Sequence, residues 1–310
     1  MARGGHDQGS ACQRGSSGLS KIQKALQKVT AAAGGKATDS RTRETIKTAI
    51  RSDHEAKRCA SLPHKQRIEV DLGLLSTSGI ATLNEGESEL RDEMRRIKWP
   101  ILANAFGDQR KDIPRGNVVM VASATSGEGK TFTTINLAMS IAAEKDFDVL
   151  LVDGDIAKSH TSELFGLTGF PGVTDYLLGD VSNILDVTVG TDLPGLSLLP
   201  AGRADEHASE LIASNRMSDL VTELSQLFPN TVVLFDSSPL LQTNESQVLS
   251  RHVGQVLLVV AANKTPTAAV KDAVALLGPD VVVNVIFNGM KRLFGQKYSF
   301  GGYYGYHYKR

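Results

Sequence analysis

Cysteine is almost missing from this chain of 310 residues: Cys12 and Cys59 are the only two, both in a weakly hydrophobic N-terminal fifth. Two such thiols make no disulfide framework and carry no metal-ligand spacing, so a reducing cytoplasm is the expected setting. Long apolar runs are missing as well. Nothing approaches the roughly 18 consecutive apolar residues of a membrane span, and the N-terminal region lacks the apolar centre of a secretory signal. Membrane association is therefore expected only through a partner or a surface. Net charge is absent too, with 34 Lys and Arg against 34 Asp and Glu, which removes the electrostatic argument for nucleic acid or for an acidic partner. The balance hides an asymmetry. Up to Arg67 there are 14 basic and 5 acidic residues, and beyond it 20 basic and 29 acidic, so a basic arm precedes an acidic body.

Residues 1–66 are rich in Gly, Ser, Ala, Lys and Arg and contain no aromatic residue, a composition that predicts a largely disordered arm. Residues 67–115 read as a helical lead-in. Within it, 87–105 (ESELRDEMRRIKWPILANA) places Leu90, Met94 and Ile97 at spacings of four and three, which predicts an amphipathic helix. Asp92, Arg95 and Lys98 sit three apart and are expected to share one face, read from spacing alone as a solvated face with local ion pairs. From 116 to 290 the pattern alternates apolar strand candidates (118–122, 149–152, 196–199, 232–235, 256–261, 281–287) with helical stretches (133–143, 215–227, 246–252, 267–277). Continuous apolar strands suit burial on both faces of a parallel sheet. The predicted fold class is α/β: a doubly wound, mostly parallel sheet of the P-loop NTPase type with helices on both faces, whose sites lie at the carboxyl ends of its strands.

The densest chemistry lies in 118–141, an apolar strand, a small-residue loop and a helix. Ser126-Gly127-Glu128-Gly129-Lys130-Thr131 is the back half of a P-loop, in which backbone N–H groups converge on phosphate at a helix N-terminus. Lys130 is expected to reach the β- and γ-phosphates and the Thr131 hydroxyl to ligate Mg²⁺. The full G-x-x-x-x-G-K-[ST] pattern wants glycine where Ala124 stands, so either the loop does not need a positive φ there or it is shaped differently. Two more strands end in acids, 149–152 in Asp153-Gly154-Asp155 and 232–235 in Asp236-Ser237-Ser238-Pro239. Mg²⁺ takes oxygen ligands, usually one or two carboxylates plus substrate phosphates, so acids at these ends beside a P-loop suit a metal–nucleotide site.

Taken together, Gly127 to Thr131, Leu150-Leu151-Val152-Asp153-Gly154-Asp155 and Leu234-Phe235-Asp236-Ser237-Ser238-Pro239 resemble the Walker A, A′ and B motifs of the bacterial tyrosine kinases. These are P-loop autokinases of capsule and exopolysaccharide systems, and the cytoplasmic type associated with exosortase loci is the most similar. Leu198-Leu199-Pro200-Ala201-Gly202-Arg203, Ser209-Glu210-Leu211-Ile212-Ala213-Ser214 and Asn288 agree with it. The resemblance implies ATP and Mg²⁺ as cofactors. It implies nucleotide contacts from Thr125, Ser126, Gly127, Glu128, Gly129, Lys130, Thr131, Phe132 and Asn288, metal ligation by Thr131, Asp153, Asp155 and Asp236, and catalytic roles for Lys130, Asp153, Asp155 and Asp236. Asp153 is either the base or a metal ligand. Departures exist: Ser126 where the family often has proline, Ala157 and Ser159 in place of arginine and proline, and Glu245 in place of aspartate. Asp92, Arg95 and Lys98 resemble a Glu-x-x-Arg-x-x-Arg pattern used for ring assembly, with its first and last positions substituted.

The chain's last stretch, 291–310, carries Tyr298, Tyr303, Tyr304, Tyr306 and Tyr308, five of six tyrosines. A Gly- and Tyr-rich end without helical or strand period is expected to be mobile. By resemblance it is the autophosphorylation site, filled in trans by a second copy of the chain. Other implied partners are the cytoplasmic segment of a transmembrane polysaccharide chain-length regulator and a tyrosine phosphatase, with no nucleic acid and a location at the inner face of the membrane. Two rival readings share the fold. One is a partition- or septum-type switch ATPase, whose signature lysine would occupy the position of Thr125; the other is a nucleotide-binding scaffold that transfers no phosphate.

Overall fold

The computed structural model describes residues 64–80, 88–227 and 230–290. The chain divides into 1–61 and 62–310, and the described residues belong to the second unit. Nearly all of the arm 1–66 and the whole tail with Tyr298, Tyr303, Tyr304, Tyr306 and Tyr308 lie outside the described residues.

Strand β1 (Gln66–Ile68) and helix α1 (Leu72–Thr77) precede α2 (Ser88–Phe106). Then come β2 (Val118–Ser123), α3 (Lys130–Ala142), β3 (Asp148–Asp153), α4 (His160–Leu164), α5 (Val173–Leu178), β4 (Val189–Thr191) and β5 (Leu196–Leu199). The chain continues through α6 (Ala208–Ile212), α7 (Asn215–Leu227), β6 (Thr231–Asp236), α8 (Asn244–Leu249), β7 (Gln255–Ala261), α9 (Thr267–Ala275) and β8 (Val282–Asn288). All six strands expected from apolar runs form. The two unanticipated strands, β1 and β4, have 3 residues each, too short to show a period.

The strands make one sheet in the order β1-β4-β5-β3-β6-β2-β7-β8. Every pairing is parallel except β4 with β5. Side chains alternate across it. Val118, Met120 and Ala122 face one core shared with Tyr176, Leu220, Val221 and Leu249 of α5, α7 and α8. Val119 and Val121 face a second core with Met94, Ile101, Ile135 and Ile141 of α2 and α3. Helices on both faces explain why the central strands are uniformly apolar, since neither side meets water. Because β6 inserts between β2 and β3, the carboxyl ends of all three lie side by side, at the place where an open α/β sheet binds its ligands.

Helix α2 departs from its expected surface character at Lys98. Its buried residues Met94, Ile101, Leu102 and Ala105 recur at helical spacing, and Lys98 falls four after Met94, inside that stripe. The side chain is turned inward rather than onto a common solvated face with Asp92 and Arg95. Lys98 is only 3% exposed; its Nζ donates to the Ser140 carbonyl at 2.7 Å and pairs with Glu144 at 2.6 Å, both across the helix interface. Asp92 and Arg95 are exposed and lie 3.5 Å apart. Lys98→Ala would leave the half-buried Ser140 carbonyl and Glu144 without this donor. It is expected to destabilise the fold by about 2–3 kcal/mol, read as a lowered midpoint in urea unfolding.

Candidate nucleotide and metal site

The phosphate loop follows β2 without a break, and its left-handed residues decide its shape. Positive φ occurs at Gly127 (79°) and Gly129 (95°), and Ala124 is not among the non-glycine residues that adopt it. The missing glycine therefore imposes no backbone strain: Ala124 is fully buried in the core, and its carbonyl accepts the Leu241 N–H at 3.2 Å. At Gly129 a side chain is disfavoured by the angle, and an added Cβ would also displace the Asn288 amide. Gly129 also opens α3 with no side-chain cap, so the helix presents bare N–H groups at the loop.

Two carboxylates stand beside that loop because of strand register. Asp153 at the end of β3 pairs directly with Asp236 at the end of β6. The strands approach so closely beyond this point that Gly154 N–H donates to the Asp236 carbonyl at 2.8 Å. Asp236 is enclosed by hydroxyls: Oδ2 accepts from Thr131 at 2.8 Å and Thr161 at 2.7 Å, and Oδ1 from Thr134 at 3.2 Å. Asp153 Oδ2 accepts the N–H and the hydroxyl of Ser162, both at 2.7 Å. Its other oxygen, Oδ1, is buried and meets no donor among the described residues. Asp155 is half-buried one step further out.

Charge follows from this enclosure. Burial pushes the Asp153 carboxyl up to about 6, opposed by the Ser162 hydrogen bonds and reinforced by Asp236 and Asp155. Asp236 and Asp155 are likewise raised, chiefly by burial; hydroxyl bonds and Lys130 hold Asp236 back, while its own charge adds to the rise at Asp155. Lys130 is lowered by burial and pulled back towards its charged form by Asp236, Asp155 and Glu128. Three acids face too little positive charge, and one buried carboxylate oxygen has no donor, so the arrangement suits a cation. Among the described residues no three His, Cys, Asp or Glu side chains form a metal cage by themselves. Carboxylates together with the Thr131 hydroxyl are the donor types that Mg²⁺ takes, its shell being completed by water and phosphate oxygens.

Most expected site residues converge, with different duties in places. Thr125 donates its N–H to Glu128 Oε2 at 2.7 Å, within the loop itself. Ser126 and Gly127 are exposed at the loop tip. Asn288 Nδ2 donates to the Glu128 carbonyl at 2.9 Å. Phe132 lies beside Gly79, its ring 3.9 Å from where a Cβ would stand there. Four further residues were not legible as site residues. Thr134, Thr161 and Ser162 hold the two acids, and Thr265 donates to Glu128 Oε1. Only Thr134 had a local signal, three residues after Thr131 on one helix face.

This fold and this loop between acidic strand ends define a P-loop nucleotide-binding domain, and residues 119–291 match the family described as the CobQ/CobB/MinD/ParA nucleotide binding domain. The tyrosine-protein kinase YwqD of Bacillus subtilis (strain 168) is 32% identical over 229 residues, covering 73% of this chain and 91% of that protein. Within that nucleotide-binding class, the chain belongs to the bacterial tyrosine kinase family. The tyrosine-protein kinase wzc of Salmonella typhi is 30% identical over 201 residues, 63% of this chain, and the match spans only 27% of that longer protein. Among solved structures, the BceF tyrosine kinase domain superposes with a TM-score of 0.57 at 25% identity, covering 75% of this chain and 96% of that one.

Gly154→Ala would drive a Cβ to 2.8 Å from the Asp236 carbonyl oxygen and force β3 and β6 apart. A loss of about 2–4 kcal/mol in thermal or urea unfolding is expected. Asp153→Asn tests the buried charge. A folded-state value raised from 3.8 to about 6 means that the metal-free protein loses stability as pH rises through that window. The asparagine variant should therefore be more stable than the parent by about 1–3 kcal/mol above pH 7. That advantage should fade as pH falls towards 4, as followed by urea unfolding in EDTA.

Proposed function

We propose that this chain is an ATP-dependent protein-tyrosine autokinase that phosphorylates its own C-terminal cluster, Tyr298, Tyr303, Tyr304, Tyr306 and Tyr308, in trans. The observation that carries the reading is the match to YwqD over 91% of that kinase, in a chain that keeps the phosphate loop and both acidic strand ends. The N–H groups of the loop and of the α3 N-terminus, with Lys130, hold the phosphates and offset the charge that develops on them. Thr131, Asp155 and Asp236, with Asp153 beside them, are the groups that would hold Mg²⁺, which supplies neutralisation of the phosphate oxygens. A tyrosine hydroxyl attacks the γ-phosphorus as the bond to the leaving ADP oxygen breaks. Its proton passes to Asp153.

The reading extends to biology. The phosphorylated tail regulates exopolysaccharide or capsule synthesis and export, in a system of the exosortase-associated type. A cytoplasmic segment of a transmembrane chain-length regulator activates the kinase at the inner face of the membrane, and a tyrosine phosphatase resets it. Among the described residues no helix is long and apolar enough to cross a membrane. Ring assembly through α2 would use the exposed Asp92 and Arg95, because Lys98 is already engaged within the chain.

Incubation of the purified protein with Mg·ATP, with and without the regulator segment, followed by mass spectrometry of the tail, tests this directly. Phosphotyrosine is expected, and Lys130→Ala should reduce it by roughly 100-fold or more. Phosphotyrosine that persists in that variant would overturn the assignment of Lys130. ATP hydrolysis without tail modification would select a switch ATPase, and neither activity, even with the segment, would select a scaffold.

A further inference from the structure

An acidic side chain is out of place in a loop that gathers anionic phosphate, yet Glu128 stands between the two left-handed glycines of this one. It is 3% exposed. Oε2 accepts the Thr125 N–H at 2.7 Å, Oε1 accepts the Thr265 hydroxyl, and the Glu128 carbonyl accepts Asn288 Nδ2 at 2.9 Å. Thr265 belongs to the loop between β7 and α9, where the same Oγ1 also accepts the Ala261 N–H at 3.2 Å. That loop is tied in turn to the end of β8, since Ala262 N–H donates to the Asn288 carbonyl at 2.8 Å. One buried residue thus gathers the ends of β2, β7 and β8.

We propose that Glu128 is a positioning residue whose carboxylate locks the phosphate loop to the 262–266 loop through Thr265, so that nucleotide affinity and the order of 262–266 are coupled. A buried carboxylate is tolerated only while its oxygens are hydrogen-bonded. Here the two donors come from different loops, so each loop keeps the other in place. Gly127 and Gly129, at φ of 79° and 95°, turn the residue between them inward. The lock also fixes which amides remain for phosphate: Thr125 N–H is committed to the carboxylate, and those after it are left to the ligand. Glu128 further favours the charged form of Lys130, two residues on. The inference rests on nucleotide binding, which the family defines, and not on kinase activity.

The test combines hydrogen exchange on the full, nucleotide-free chain with binding of a fluorescent ATP analogue plus Mg²⁺. Glu128→Ala and Thr265→Val should each raise exchange in both loops and weaken binding about tenfold. The double variant should be no worse than Glu128→Ala alone, because both remove one contact. Glu128→Gln, which can accept from Thr125 and donate to Thr265, and Thr265→Ser should restore both readouts. Additive losses in the double variant would overturn the lock, as would wild-type affinity in Glu128→Ala. If Glu128→Ala does not fold, the Thr265 pair decides: unchanged exchange and affinity in Thr265→Val overturns the proposal. A wild-type chain that binds nucleotide but makes no phosphotyrosine would sink the kinase reading and leave this test intact.

Discussion

Two carboxylates forced side by side, Asp153 and Asp236, set the terms for the rest of the structure. Parallel pairing of β3 and β6 puts them in register at adjacent strand ends, and Gly154 lets the two backbones close to hydrogen-bonding distance just beyond. Like charges in a dry site repel, so the surroundings must supply donors. They come from two helices, Thr131 and Thr134 on α3 and Thr161 and Ser162 on α4. The helices are thereby fixed against the strand ends. The hydroxyl shell leaves Asp153 Oδ1 unmatched and all three acids raised, a deficit of positive charge beside the phosphate loop. A divalent cation arriving with phosphate would offset it.

The phosphate loop obeys a separate constraint, set by backbone angle rather than charge. Its left-handed positions fall at Gly127 and Gly129, so the alanine in the place of the expected first glycine costs nothing in conformation, and its methyl group fills core. The loop after β3 is the more distinctive departure. Ser159 adopts a φ of 48°, which a proline ring locked near −65° cannot reach. Serine at this position is therefore compatible with a backbone that proline could not adopt. The charge of Lys158 next to it is felt by both Lys130 and Asp155. A positive charge thus stands beside Lys130 and Asp155 although position 157 is an alanine.

Much of this was legible in the chain as written. Strands of continuous Val, Leu and Ile, alternating with helical periods, determine a parallel sheet covered on both faces, because only burial on both sides tolerates such runs. Gly-x-Gly-Lys-Thr and two apolar runs ending in aspartate determine the class of site, because ligands of such sheets meet strand ends. Short β1 and β4 escaped, having too few residues for a period to register. Tertiary structure alone decided the rest. Which acids become neighbours depends on β6 inserting between β2 and β3, a strand order that no local pattern encodes. Whether Lys98 faces water or a helix depends on α2 lying against α3. And Thr161 and Thr265 became part of the site only because folding brought buried carboxylates to hydroxyls distant in sequence, under the physical requirement that a charge removed from water find donors.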